Sequence, residues 1–214
     1  MTIQRAILVI AAAALTSGGC LLKDVTETWY LEPDGGVTWV AMEKDVRSDA
    51  QAEADRRNEE ETYYQDVMRE VHPAARGFRA LGTARLRTRI LRSEIPFSIV
   101  TEGRFAALDD LGQRIISISG LAGTSLLTRD GASREWTFTI RDPHAENARP
   151  DEDVMALLGD LDTLQVVLVT GRFESAQLFE ISADRRVARI DRAQLKDMDE
   201  SAVLVLKLKW TVGK

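Results

Sequence analysis

The chain is poor in the residue types that most often carry chemistry. Its 214 residues include one cysteine, two histidines and three tyrosines, and aromatics make up 6%. A lone cysteine excludes an intramolecular disulfide, so packing has to supply the stability. The two histidines, His72 and His144, leave little from which to build a nucleophile–base pair or an imidazole metal site. There is no G-x-S-x-G elbow, no phosphate loop ending in G-K-[ST] and no calcium loop. Long apolar runs are missing too. The run "AILVIAAAAL" at 6–15 has ten residues, whereas crossing a hydrocarbon core takes about 20. A formal charge of -6 makes the chain a poor general ligand for nucleic acid.

What is present starts at the N-terminus. "MTIQR" carries one positive charge at Arg5, the apolar run follows, and "TSGG" supplies small residues directly before Cys20. A charged start, a short apolar segment and a small-residue exit are the layout of a secretory signal. A cysteine in a soluble chain is usually a small buried hydrophobe. Cys20 instead sits between this segment and the polar "KDVTET", with no core beside it. Gly18, Gly19 and Cys20 resemble the last three positions of the lipobox of bacterial lipoproteins, and Ser17 stands where that pattern usually has Leu. The resemblance implies cleavage after residue 19 and lipidation of Cys20, which would tether the mature chain to the cell envelope with its domain in the periplasm. Leu21 follows the cysteine where lipoproteins kept at the inner membrane often carry Asp. The resemblance therefore points to the outer membrane rather than the inner. Loss of residues 1–19 removes Arg5 and no acid, which takes the charge from -6 to -7.

The remaining 195 residues, 20–214, suffice for a single domain. Residues 25–31 and 37–42 are β-branched and aromatic around "EPDGG", which predicts a hairpin with Trp29 and Trp39 on its two arms. Ser48 and Gln51 have capping-box spacing, and residues 49–71 lack Gly and Pro until "HP" at 72–73, predicting a long helix. Its first half is polar almost all round; its second half has a stripe of Tyr63, Tyr64, Val67, Met68 and Val71. A short helix at 74–81 closed by Gly82, strands at 84–90 and 97–102, a helix near 105–114 and a hairpin turning at Asp130 and Gly131 come next. The polar segment 141–153, with two prolines, divides the chain, and a short helix is expected at 151–161. Strands at 163–170, 177–181, 187–190 and 203–212 complete the order. Hairpins interrupted by helices predict an α+β fold: an antiparallel sheet with one long and several shorter helices packed on one face.

The early "DGG" hairpin, the central helix and the ending "VLVLKLKW" behind such an N-terminus are similar to the LppM-type domains of envelope lipoproteins. That similarity implies an antiparallel sheet packed with helices and the binding of lipid-like or carbohydrate ligands. The C-terminal membrane helix that such proteins often add cannot be read in these residues.

Within the domain the strongest internal feature is "TARLRTRIL". Arg85, Arg87 and Arg89 alternate with Leu86, Thr88 and Ile90 and should project from one face about 7 Å apart. Flanked by Arg76, Arg79 and Arg92, they form either a solvated sheet face neutralised by carboxylates such as Glu94 and Glu102 or a candidate anion-binding stripe for lipid headgroups, lipopolysaccharide phosphates or an acidic envelope partner. The acidic runs at 59–61 and 151–153 read as a solvated helix face and a helix N-terminus. "GLAGTS" at 120–125 reads as a plain turn, and the four tryptophans could line part of a space for an apolar ligand. No residue is assigned a catalytic role and no cofactor or metal is called for. The expected function is non-catalytic: binding or assembly of an envelope component, with a carrier or sensor of an apolar or lipid-like ligand second and an envelope-polymer hydrolase last.

Overall fold

The computed structural model describes residues 20–118, 122–141, 163–191 and 203–213. Its first strand, β1 (Leu21–Leu31), starts one residue after Cys20 and pairs antiparallel with β2 (Val37–Ser48). The turn between them closes as its composition predicts. Gly35 takes φ 93°, a conformation open to glycine at little cost, and the Gly35 N–H donates to the Glu32 carbonyl at 2.9 Å. Trp29 and Trp39 face each other across the pair, with ring centroids 5.1 Å apart.

Nine further strands follow among the described residues: β3 (Arg85–Arg92), β4 (Phe97–Phe105), β5 (Ala122–Asp130), β6 (Ser133–Arg141), β7 (Thr163–Leu168), β8 (Arg172–Gln177), β9 (Glu180–Ile181), β10 (Val187–Asp191) and β11 (Leu204–Thr211). They build two sheets rather than one. The larger has the order β3-β4-β2-β1-β7-β10-β9 and the smaller β5-β6-β11-β8. Every pairing is antiparallel except β1 with β7. Alternation marks a strand but carries no direction, so that exception could not be read from it.

The inner faces of the two sheets meet through aromatic rings. Trp29 touches Trp136 of β6 at 5.9 Å between centroids, and Trp39 packs on Phe78 at 5.0 Å. The four tryptophans, Trp29, Trp39, Trp136 and Trp210, are each at most 5% exposed. They fill the core, contrary to the expectation that they line a ligand space, because each occupies an inward position of its strand.

The helices α1 (Glu53–Met68), α2 (Pro73–Ala80) and α3 (Leu108–Ile118) are short. The long helix expected at 49–71 is 16 residues, and Ser48 does not cap it. Ser48 stays in β2, its N–H donating to Glu60 Oε1 at 3.0 Å and its hydroxyl to Glu59. Ala52 stands at the N-cap with no side-chain bond. The helix ends early in a left-handed closure: Glu70 takes φ 54°, and the Val71 N–H reaches back to the Asp66 carbonyl at 2.8 Å. Its docking face is narrower than the predicted stripe. Tyr63 and Val67 are buried, while Met68 and Val71 are exposed. α1 and α2 lie on the inner face of the larger sheet over β2, β3 and β4, and α3 packs on β5. The strand expected at 177–181 is broken at Leu178, which takes φ 70° between β8 and β9. The dividing segment after residue 141 and the helix expected at 151–161 lie outside the described residues.

Gly103 faces Trp39 in register, and a Cβ there would come within 2.7 Å of the Phe78 ring and 3.2 Å of Phe105. Gly103→Ala is therefore expected to lower the unfolding free energy by about 1–3 kcal/mol, read as a lower midpoint in urea denaturation.

Candidate functional site

Cys20 is exposed and free. Its N–H donates to Asp49 Oδ1 at 2.6 Å and its carbonyl accepts the Asp49 N–H at 3.1 Å. The residue is thus pinned beside the end of β2, with its thiol in solvent and no slack chain before the domain begins. Around it stand the start of β1, the end of β2, the end of β3 and the start of β4, since Leu21 faces Ser48, Val46 faces Phe97 and Arg92 faces Ser98. A groove of about 620 Å³ opens at this pole between α1 and the β3–β4 turn. Tyr64, Ile95 and Phe97 supply its apolar wall, and Arg57 and Glu61 are on its polar side.

The arginine stripe forms as the alternation predicts. Arg85, Arg87 and Arg89 are exposed on β3, one of the two edge strands of the larger sheet, with Leu86, Thr88 and Ile90 half-buried between them. Their environments differ. Arg89 pairs with Glu102 at 3.1 Å, whereas Arg85 stands opposite Arg104 and Arg87 opposite Glu102 with no ion pair to either among the described residues. The flanking arginines are engaged elsewhere: Arg92 with Asp45 at 2.7 Å, Arg79 with Glu70 at 3.5 Å, and Arg76 with the Val71 carbonyl at 2.6 Å. Glu70 also accepts the outward N–H of Thr88 at 3.0 Å, which closes part of the sheet edge.

A set of buried polar groups was not legible as a unit in the sequence. On the inner face of the larger sheet, Glu43 accepts the Tyr63 hydroxyl at 2.6 Å and pairs with Lys23 at 3.4 Å. The Lys23 ammonium lies 5.8 Å from the Tyr63 ring centre. His72, fully buried, shares a 2.8 Å hydrogen bond between Nε2 and Thr101 Oγ1, and its ring meets Tyr63 edge-on at 6.3 Å. Glu27 and Glu60 are buried as well. The one available signal was positional: Glu27 and Glu43 occupy inward places in otherwise alternating strands. Glu27, Ala41 and Thr101 share one row across the sheet, and Val25, Glu43 and Ile99 the next. This band separates the tryptophan-containing core from a small apolar cluster of Val46, Tyr63, Val67, Phe97 and Ile99. Lys23 is partly exposed and Glu60 reaches the wall of the groove, while together these groups hold α1 and α2 on the sheet.

Of the other sequence-level candidates, Glu59 and Glu60 of the acidic run bind Ser48, and Glu61 accepts from Gln65 at 2.8 Å. His144 and the acidic run at 151–153 lie outside the described residues. Among the described residues no three His, Cys, Asp or Glu side chains converge as metal ligands would, and no helix is long and apolar enough to cross a membrane.

No family model matches the chain, and no curated protein matches it. Among solved structures it is similar to the folded domain of LppM from Mycobacterium tuberculosis, determined by NMR. Identity there is 11%, with 94% of this chain and 95% of that one covered at a TM-score of 0.42. It is also similar to the Mu homology domain of Fcho1 from Danio rerio, with 10% identity over 94% of this chain and 82% of that one at a TM-score of 0.24.

Burial pushes the pKa of His72 down from 6.5 to about 4. The Lys23 charge adds to the shift, the Asp66 carbonyl and Glu70 oppose it, and Arg76 lowers it slightly further. A histidine held neutral in the fold gives way to a protonated one in the unfolded chain as soon as the pH drops below 6.5. His72 therefore contributes its full share of stability above that pH and loses it as the pH falls to about 4, a difference of about 3 kcal/mol. Urea denaturation at pH 7 and pH 4.5 should show a smaller loss for His72→Gln than for the unmodified protein.

Proposed function

We propose that this chain is a lipid-anchored protein of the bacterial cell envelope whose domain, standing in the periplasm, binds or helps to assemble another envelope component. The observation that carries the anchor is Cys20: the chain's one thiol, exposed, directly behind a signal-like segment with a small-residue exit. A buried thiol would be closed to acyl transfer; this one is open. Two or more acyl chains on such a cysteine hold a protein firmly, where a single chain binds only marginally. In a cell that sorts lipoproteins by the residue after the cysteine, Leu21 favours the outer membrane over the inner.

The binding surface in this reading is the stripe. Arg85 and Arg87 lie toward the end of β3 away from Cys20, and their guanidinium groups have no hydrogen bond or ion pair among the described residues. Planar guanidinium groups on a rigid strand suit carboxylate or phosphate. With its distance from the anchor, that points to an acidic envelope partner more than to headgroups of the anchoring membrane. The reading assigns no catalysis and no cofactor. A second reading, a carrier of a lipid-like ligand, is favoured by one observation, the groove walled by Tyr64, Ile95 and Phe97.

Cys20→Ser is expected to abolish acyl labelling and to move the protein from the membrane to the soluble fraction; unchanged retention would sink the anchor. The double variant Arg85→Ser/Arg87→Ser should elute from immobilised poly-glutamate at lower salt than the unmodified protein, with an unchanged urea midpoint, since exposed arginines at such sites contribute little to stability.

A further inference from the structure

We infer that the Cys20 pole rests on the bilayer, with the β3–β4 turn as a second, apolar contact beside the anchor. The contact presupposes the membrane attachment proposed above, but it is a separate property: it concerns which part of the surface the membrane touches.

Lipid-anchored domains on a flexible spacer are free to tumble. Here β1 starts at residue 21, and both backbone groups of Cys20 are bonded to Asp49. A lipid on Cys20 would leave the domain no room to move away. In an uncleaved chain the apolar run at 6–15 would stand four residues, 16–19, from Cys20 and so close to the same pole. Either form brings hydrocarbon to this pole.

The surface there is suited to it. In the order β1-β2-β4-β3, the turn at 93–96 lies about three strand spacings, roughly 14 Å, from Cys20. At the same end Leu22 is 43% exposed, Leu91 54% and Ile95 58%. Side chains of that size are seldom left in water without cause when they gather at one place. Arg47 stands exposed opposite Leu22, and Arg92, at the mouth of the turn, keeps its ion pair with Asp45 at 2.7 Å. Long basic side chains can keep their charge at the phosphate level while apolar neighbours dip below it. The acids of the first helical turn, Glu53 and Asp55, lie on the inner side of the sheet. With the exposed Glu94 in the turn and Asp49 beside Cys20, they confine the contact to the side chains of Leu22, Leu91 and Ile95.

The test uses the full chain reconstituted in vesicles of phosphatidylethanolamine and phosphatidylglycerol that carry doxyl-labelled lipid. Leu91→Cys and Ile95→Cys each supply one thiol for a fluorophore, an acylated Cys20 being unreactive, and Asp34→Cys puts the same probe in the β1–β2 turn at the opposite pole. The expected result is loss of most of the fluorescence at 91 and 95 and none at 34. In an acylated protein, equally weak quenching at all three sites overturns the contact and leaves the anchor standing. Absence of an acyl group on Cys20 ends the lipid-anchor reading instead. The same probes are then read in the Cys20→Ser background, where quenching at 91 and 95 upholds the contact and its loss overturns it.

Discussion

The contact on which the fold depends is that of Trp29 with Trp39 in its own hairpin and with Trp136 in the other sheet. The first pairing sets the register of β1 on β2; the second lays the smaller sheet across the larger. Aromatic pairs of this kind add something beyond buried area because their edges and faces carry opposite partial charge. Without a disulfide, this cluster is where the early and late parts of the chain are joined, since Trp210 of the last strand belongs to the same core.

Local features of the fold were legible where local chemistry decides them. The hairpin around Gly35, the alternation of Arg85 with Leu86, and the left-handed Gly82 after α2 all depend on neighbours in sequence. What depended on distant partners was not. Ser48 looked like a helix cap because its spacing to Gln51 fits one, yet Glu59 and Glu60 hold it in a strand. Glu70 ends a helix in a conformation more often taken by glycine, and nothing adjacent announces it. The division into two sheets and the parallel entry of β7 beside β1 are choices of pairing, which alternation leaves open.

The candidate site shows the same limit. Cys20 could be singled out from the sequence, because a lone thiol directly behind a signal-like segment needs no tertiary context to be noticed. The buried set of Lys23, Glu43, Tyr63 and His72 needed the register of three strands and a helix to become visible as a unit. The value of this set lies in definition. Buried charge must find its own partner, so a band of it between two apolar clusters fixes how α1 sits on the sheet, where apolar contact alone would tolerate sliding.

The hydrogen bond from Thr88 to Glu70 bears on how copies of this protein behave in company. β3 is an open sheet edge, and two such edges brought side by side would ordinarily be able to zip together. Here the central outward N–H is already taken by a carboxylate, and a neighbouring copy would have to bring a second row of guanidinium groups against the first. One occupied N–H and a row of like charge thus weigh against edge-to-edge pairing along β3, open though the strand is.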